Sequence, residues 1–139
     1  MSSDGSYLFD TSIWIRLQRK TLPDQIRSLM AARVRAGMVA TNQIVRVEVL
    51  AGSRDAREFD TNSAQLAGLI DLSIIDETWH ATAALAYSLR RKGITPSLPD
   101  AIIAASAIEH LAVVVHADNH FDQIAEHTGL RVEGHLDAI

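Results

Sequence analysis

Three short apolar runs, each ending in polar residues, constrain the fold of this chain more than any other feature. Tyr7-Leu8-Phe9 ends at Asp10-Thr11-Ser12, Met38-Val39-Ala40-Thr41 ends at Asn42, and Val113-Val114-Val115 ends at His116-Ala117-Asp118. Runs this short and this apolar fit buried parallel strands. Helical periodicity fills the intervals, over 13–19, 23–36, 43–51, 55–69, 78–92, 97–111 and 119–127. Pro23 suits a helix start, and Gly37, Gly52 and Gly93 suit helix ends. In the 78–92 helix the apolar face is expected to carry Trp79, Ala83, Ala86 and Tyr87. Leu72-Ser73-Ile74-Ile75 reads as a strand or an extended link, and 130–133 as a last strand. Alternating short strands and helices predict an α/β fold with a parallel sheet covered on both faces. In such sheets ligands sit beyond the carboxyl ends of the strands, where the polar residues of this chain gather.

The 139 residues predict a single domain over 1–139, long enough to bury a core without staples. Cysteine is absent, which excludes a disulfide scaffold, a thiolate nucleophile and Cys-ligated metal. Residues 1–6 have neither a basic nor an apolar region of a secretory signal. The apolar stretch 101–115 is broken by Glu109 and His110 and falls short of the about 20 residues a membrane helix needs. A soluble, cytoplasmic protein with no membrane partner is therefore expected. The formal net charge of −4 does not advertise nucleic-acid binding. Of the 13 basic residues, however, only Lys20 and Lys92 are lysines, and arginine is the better bidentate partner for phosphate or carboxylate.

Four carboxylates stand at informative positions. Asp10 and Asp118 each follow a strand directly, where each suits a helix N-cap or a metal ligand. Asp100 lies in the first turn of its helix, three residues after Ser97, on the face of Ile103, Ala104, Ala107 and Leu111. Glu48 falls on the stripe of Ile44 and Ala51, expected to be buried, with Val47 beside it. Glutamate is rarely buried unless paired or coordinated, so either a salt bridge or a metal is expected there. Clustered carboxylates repel and raise one another's pKa, and a divalent cation removes that cost. Oxygen ligands without cysteine suit Mg²⁺ or Mn²⁺, which polarise a phosphoryl oxygen and acidify a bound water.

Asp10-Thr11-Ser12-Ile13-Trp14-Ile15 after a strand, Glu48 in Val47-Glu48-Val49-Leu50-Ala51-Gly52, Pro99-Asp100-Ala101-Ile102-Ile103-Ala104-Ala105-Ser106-Ala107, and His116-Ala117-Asp118-Asn119-His120-Phe121-Asp122-Gln123-Ile124-Ala125 together resemble a PIN-domain ribonuclease. The nearest likeness is to the VapC toxins of bacterial toxin–antitoxin pairs. The order and spacing of the segments carry it, from Tyr7 to about Glu133. The resemblance implies a three-layer α/β/α sandwich, Mg²⁺- or Mn²⁺-dependent RNA cleavage, homodimerisation and inhibition by a VapB-like antitoxin. It implies Asp10 and Asp100 as principal metal ligands, with Glu48 and Asp118 completing the catalytic site. It further implies that Thr11 or Ser12 supplies a hydroxyl within the site. Asp122 is read as a solvated helix residue.

Other chemistries find less support. The six histidines are read as scattered over the surface, with no HExxH pattern, although His116 and His120 flank Asp118. GxxxxGK[ST], GxGxxG and GxSxG are absent, and Ser12 stands where a haloacid-dehalogenase-like phosphatase would need a second acid. A receiver-like phospho-acceptor is disfavoured, since no acidic pair follows the first strand. Arg46, on the helix of Glu48, and Arg16, just after Asp10, are the best candidates for phosphate or antitoxin contacts. Two classes stay open: a metal-dependent endoribonuclease acting on single-stranded or loop RNA, and a non-catalytic PIN-like module that binds RNA or protein.

Overall fold

The structure, a computed structural model, describes residues 5–135. Residues 1–4, most of the segment read for a secretory signal, lie outside the described residues. The five strands form one parallel sheet: β1 (Tyr7–Phe9), β2 (Val39–Thr41), β3 (Ile70–Asp71), β4 (Val113–His116) and β5 (Arg131–Gly134), in the order β3-β2-β1-β4-β5. Tyr7, Leu8 and Phe9 pair with Val113, Val114 and Val115 on one side, and Tyr7 and Leu8 with Val39 and Ala40 on the other. Leu8, Phe9, Val39, Ala40, Val114 and Val115 are all buried, as expected for strands with both faces covered.

The chain leaves β1 toward β2 and β3, then returns past them to β4 and β5. Right-handed crossovers running in opposite directions put helices on opposite faces, so the sheet is the middle layer of an α/β/α fold. Between β1 and β2 lie α1 (Thr11–Arg19) and α2 (Asp24–Arg35), and between β2 and β3 lie α3 (Gln43–Ala51) and α4 (Ala56–Ala67). The return connection carries α5 (Asp76–Arg91) and α6 (Leu98–Glu109), and α7 (Asn119–Glu126) joins β4 to β5. Neighbouring strands β1 and β4 send the chain to opposite sides, so their carboxyl ends flank the switch point where α/β sheets bind ligands.

Among these elements, α6 is the most enclosed. Every residue from Ala101 to Ala107 is buried, and small side chains dominate, which lets neighbouring elements approach closely. The helix starts where Ser97 accepts the Asp100 amide, with Pro99 in its first turn. It ends at Glu109, so Leu111 lies beyond it, 55% exposed and at φ 54°, rather than on the face of Asp100. No helix among the described residues is long and apolar enough to cross a membrane.

Two elements differ from expectation. The third strand is Ile70–Asp71, where no strand is expected, and 72–75 is the extended link rather than the strand of its two readings. Leu72 still donates its amide to the Thr41 carbonyl at 2.8 Å, but Gln43 then captures the Ile74 amide at 2.9 Å and ends the pairing. In α5 the buried stripe is Thr78, Thr82, Leu85 and Leu89, with Leu85 only partly covered. Trp79 and Tyr87 face outward, 45% and 68% exposed. Threonine can take this stripe because its hydroxyls are satisfied locally. Thr78 donates to Glu109 at 2.7 Å, and Thr82 donates to the Thr78 carbonyl at 2.7 Å.

Candidate active site

The end of β1 delivers Asp10 to the switch point. Its amide bonds the Val115 carbonyl of β4 at 2.9 Å, and its side chain caps α1 by accepting the Ser12 amide at 3.1 Å. The Ser12 hydroxyl donates to the same carboxylate at 2.7 Å and accepts the Ala117 amide at 3.2 Å. One hydroxyl therefore fastens Asp10 to the turn that follows β4. Asp118 stands in that turn and caps α7 by accepting the His120 amide at 2.9 Å. Asp10 and Asp118 are thus helix N-caps, and the charge of Asp118 acts on the Asp10 carboxyl.

Asp100 approaches from the head of α6. Its Oδ2 lies 3.4 Å from His120 Nδ1, which lies 3.2 Å from Asp118 Oδ1. Ligand-capable atoms of Asp100, Asp118 and His120 all lie within 4.8 Å of one another, the one such group among the described residues. Asp100, Asp118 and His120 line a cleft of about 550 Å³ together with Thr95, Ser97 and Gln123.

The electrostatics agree with this convergence. Burial pushes the Asp10 carboxyl above its ordinary pKa; the Ser12 hydrogen bonds oppose the shift, and the charge of Asp118 adds to it. Burial also raises Asp100, and the charges of Asp10 and Asp118 raise it further against the pull of His120. These acids are held together at an energetic cost that a divalent cation would offset. The donor set of Asp100, Asp118 and His120 is mainly carboxylate oxygen and lacks thiolate, chemistry that suits a hard divalent cation.

Glu48 belongs to the same neighbourhood through one contact. Its Oε1 accepts the Thr11 hydroxyl at 2.6 Å, next in sequence to Asp10. It is half-buried rather than enclosed, because Val45 and Val49 occupy the inner stripe of α3 and Val47 is exposed. Its partner is that hydroxyl, not an arginine. Arg46 is engaged elsewhere, 3.0 Å from Asp71 at the end of the edge strand β3. The recess next to Ser12 is lined instead by Arg16 and Arg19 of α1, together with Ile15 and Thr21.

The histidines depart most from the surface reading. His116 is wholly buried, packed at 5.6 Å against the Phe121 ring. Its Nδ1 accepts the Asp118 amide at 3.0 Å, and its Nε2 lies 3.0 Å from Asp122 Oδ1. Asp122 is therefore a partner of a buried imidazole and not simply a solvated residue. The i, i+6 spacing across a strand–turn–helix junction has no periodic signature, so sequence patterning could not reveal the pair.

The PIN domain family model matches residues 7–127. The VapC ribonuclease Mb1587 of Mycobacterium bovis is 34% identical over 129 residues, covering 89% of this chain and 95% of that protein. Ribonuclease VapC51 of Mycobacterium tuberculosis is 34% identical over 125 residues, covering 88% of each chain. Among solved structures, VapBC2 from Rickettsia felis bound to a DNA fragment from their promoter superposes with a TM-score of 0.73. It is 20% identical and covers 92% of this chain and 97% of that one. The chain belongs to the PIN-domain family and is similar over most of its length to these two VapC ribonucleases.

Proposed function

We propose that this protein is a divalent-metal-dependent endoribonuclease, the toxin of a VapBC-like pair, acting in the cytoplasm and restrained by a VapB-like antitoxin. The observation that carries this reading is the convergence of Asp10, Asp100 and Asp118 at the switch point, with burial and mutual repulsion raising the first two carboxyls. A module that only binds RNA or protein has no use for such repulsion. The names of the curated relatives and of the solved complexes support the ribonuclease activity and the antitoxin partner.

Asp10, Asp100 and Asp118 would hold Mg²⁺ or Mn²⁺, with Glu48 completing the acidic site beside Thr11. A bound ion supplies Lewis-acid polarisation of the scissile phosphate and stabilises the charge that develops on its oxygens. Ser12 fixes Asp10 and the turn of Asp118 relative to each other, so the carboxylates that would hold the ion are preorganised. Thr11 orients Glu48 by its 2.6 Å hydrogen bond. Arg16 and Arg19, beside Ser12, are placed to receive flanking phosphates of the RNA, a role that Arg46 cannot share while paired with Asp71. The exposed Trp79 and Tyr87 on α5 suit burial in a homodimer.

The test is cleavage of structured RNA by purified protein with Mg²⁺, with Mn²⁺ and with chelator, beside Asp10→Asn. Metal-dependent cleavage by the unaltered protein alone is expected. Equal cleavage by both proteins would remove the catalytic assignment. An adjacent upstream reading frame for a small antitoxin-like protein would support the pairing.

A further inference from the structure

We propose that His116 and Asp122 form a positioning pair that fixes Asp118 for cation binding. The inference rests on the metal-site reading above but concerns residues that reading does not use. An imidazole nitrogen that accepts a hydrogen bond carries no proton. The Asp118 amide bonded to Nδ1 therefore leaves the neutral ring protonated at Nε2, from which it donates to Asp122 Oδ1. Both nitrogens of a fully buried ring are thereby used in one sense, and Asp122 sets that sense.

The ring has little freedom to turn. Phe121 flanks it, and Gly134 of β5 passes so close that a Cβ there would sit 3.2 Å from Cε1 and 3.4 Å from Nε2. The backbone is held as well, since the His116 carbonyl accepts the His135 amide at 2.8 Å. In the turn beyond β4, two consecutive amides are thus captured. Ser12 takes that of Ala117 and His116 takes that of Asp118. The first tie leads to Asp10, and the second orients the residue whose carboxylate faces Asp100 and His120. Partners standing behind metal ligands typically govern affinity by about 10–100-fold when lost.

The test compares the unaltered protein with His116→Leu, Asp122→Ala and Asp122→Asn, using Mn²⁺ affinity measured by electron paramagnetic resonance and imidazole ¹⁵N shifts. In the unaltered protein the His116 shifts should show Nε2 protonated and Nδ1 bare. His116→Leu and Asp122→Ala should weaken Mn²⁺ binding about 10–100-fold. Asp122→Asn keeps an acceptor oxygen and should restore most of that affinity. RNA cleavage should lose kcat with KM little changed. Asp122→Ala replaces a half-exposed side chain, so it reads the pair even where His116→Leu fails to fold. Mn²⁺ binding by folded Asp122→Ala equal to that of the unaltered protein, or a ring protonated at Nδ1, overturns the pair alone. Absence of Mn²⁺ binding by the unaltered protein overturns the metal reading and the pair with it.

Discussion

Asp10 serves two ends that pull its energetics in opposite directions. As the cap of α1 it stabilises the fold, and as a buried carboxylate near Asp118 it strains it. Asparagine caps as well as aspartate, so Asp10→Asn keeps the first effect and removes the second. We predict that this variant melts higher than the metal-free parent, by roughly 1 kcal/mol or a few degrees, in a thermal scan with chelator. Its cleavage should fall by more than the about 100-fold typical of losing an outer partner. The sign with pH follows from the raised pKa values of Asp10 and Asp100. Between the unfolded and folded pKa values the folded chain binds more protons, so metal-free stability falls as pH rises through that window. Thermal shift by Mn²⁺ should grow over the same window, because the ligands must be deprotonated. A Mn²⁺ shift independent of pH would contradict this. Thr11→Val removes the hydrogen bond that holds Glu48 and should cut cleavage about tenfold while the melting temperature moves little.

At the scale of elements, α6 and α5 show what periodicity can and cannot read. The Ser97-Leu98-Pro99-Asp100 start and the apolar run behind it announce α6 directly, because cap, proline and hydrophobicity agree. The strands of β1 and β4, and the carboxylates that end them, are legible for the same reason. In α5 two stripes compete, and the aromatic one looks more apolar than the threonine one that the core takes. Hydroxyl satisfaction by Glu109 and by the Thr78 carbonyl decides the matter, and those contacts depend on tertiary geometry. The His116–Asp122 pair was hidden for a like reason, since it spans a junction between two periodicities. The dense packing of α6 predicts that Ala104→Leu overfills its surroundings and destabilises by about 1–3 kcal/mol in urea denaturation.

At the scale of the molecule, a polar clasp joins distant parts of the sequence. Arg33 of α2 holds Glu133 of β5 through two hydrogen bonds of 2.6 and 2.9 Å, and its guanidinium lies 3.8 Å from the Tyr7 ring of β1. His135 adds a contact of 2.8 Å to the same carboxylate. The hydrogen bonds from Arg33, foremost, hold the Glu133 carboxyl below its usual range. A lowered folded pKa contributes stability above the unfolded pKa and loses it as pH falls through the folded value. Glu133→Gln should therefore destabilise by about 1–2 kcal/mol at neutral pH. The difference should shrink on acidification below the ordinary glutamate range. Equal loss at all pH values would show that packing, not charge, holds the clasp.

The acids that meet at the switch point are spread from residue 10 to residue 118, and β4 completes the centre of the sheet late in the sequence. On the proposed site assignment, Asp118 must leave the ribosome before these acids can assemble, so a nascent polypeptide still short of that point lacks the proposed centre.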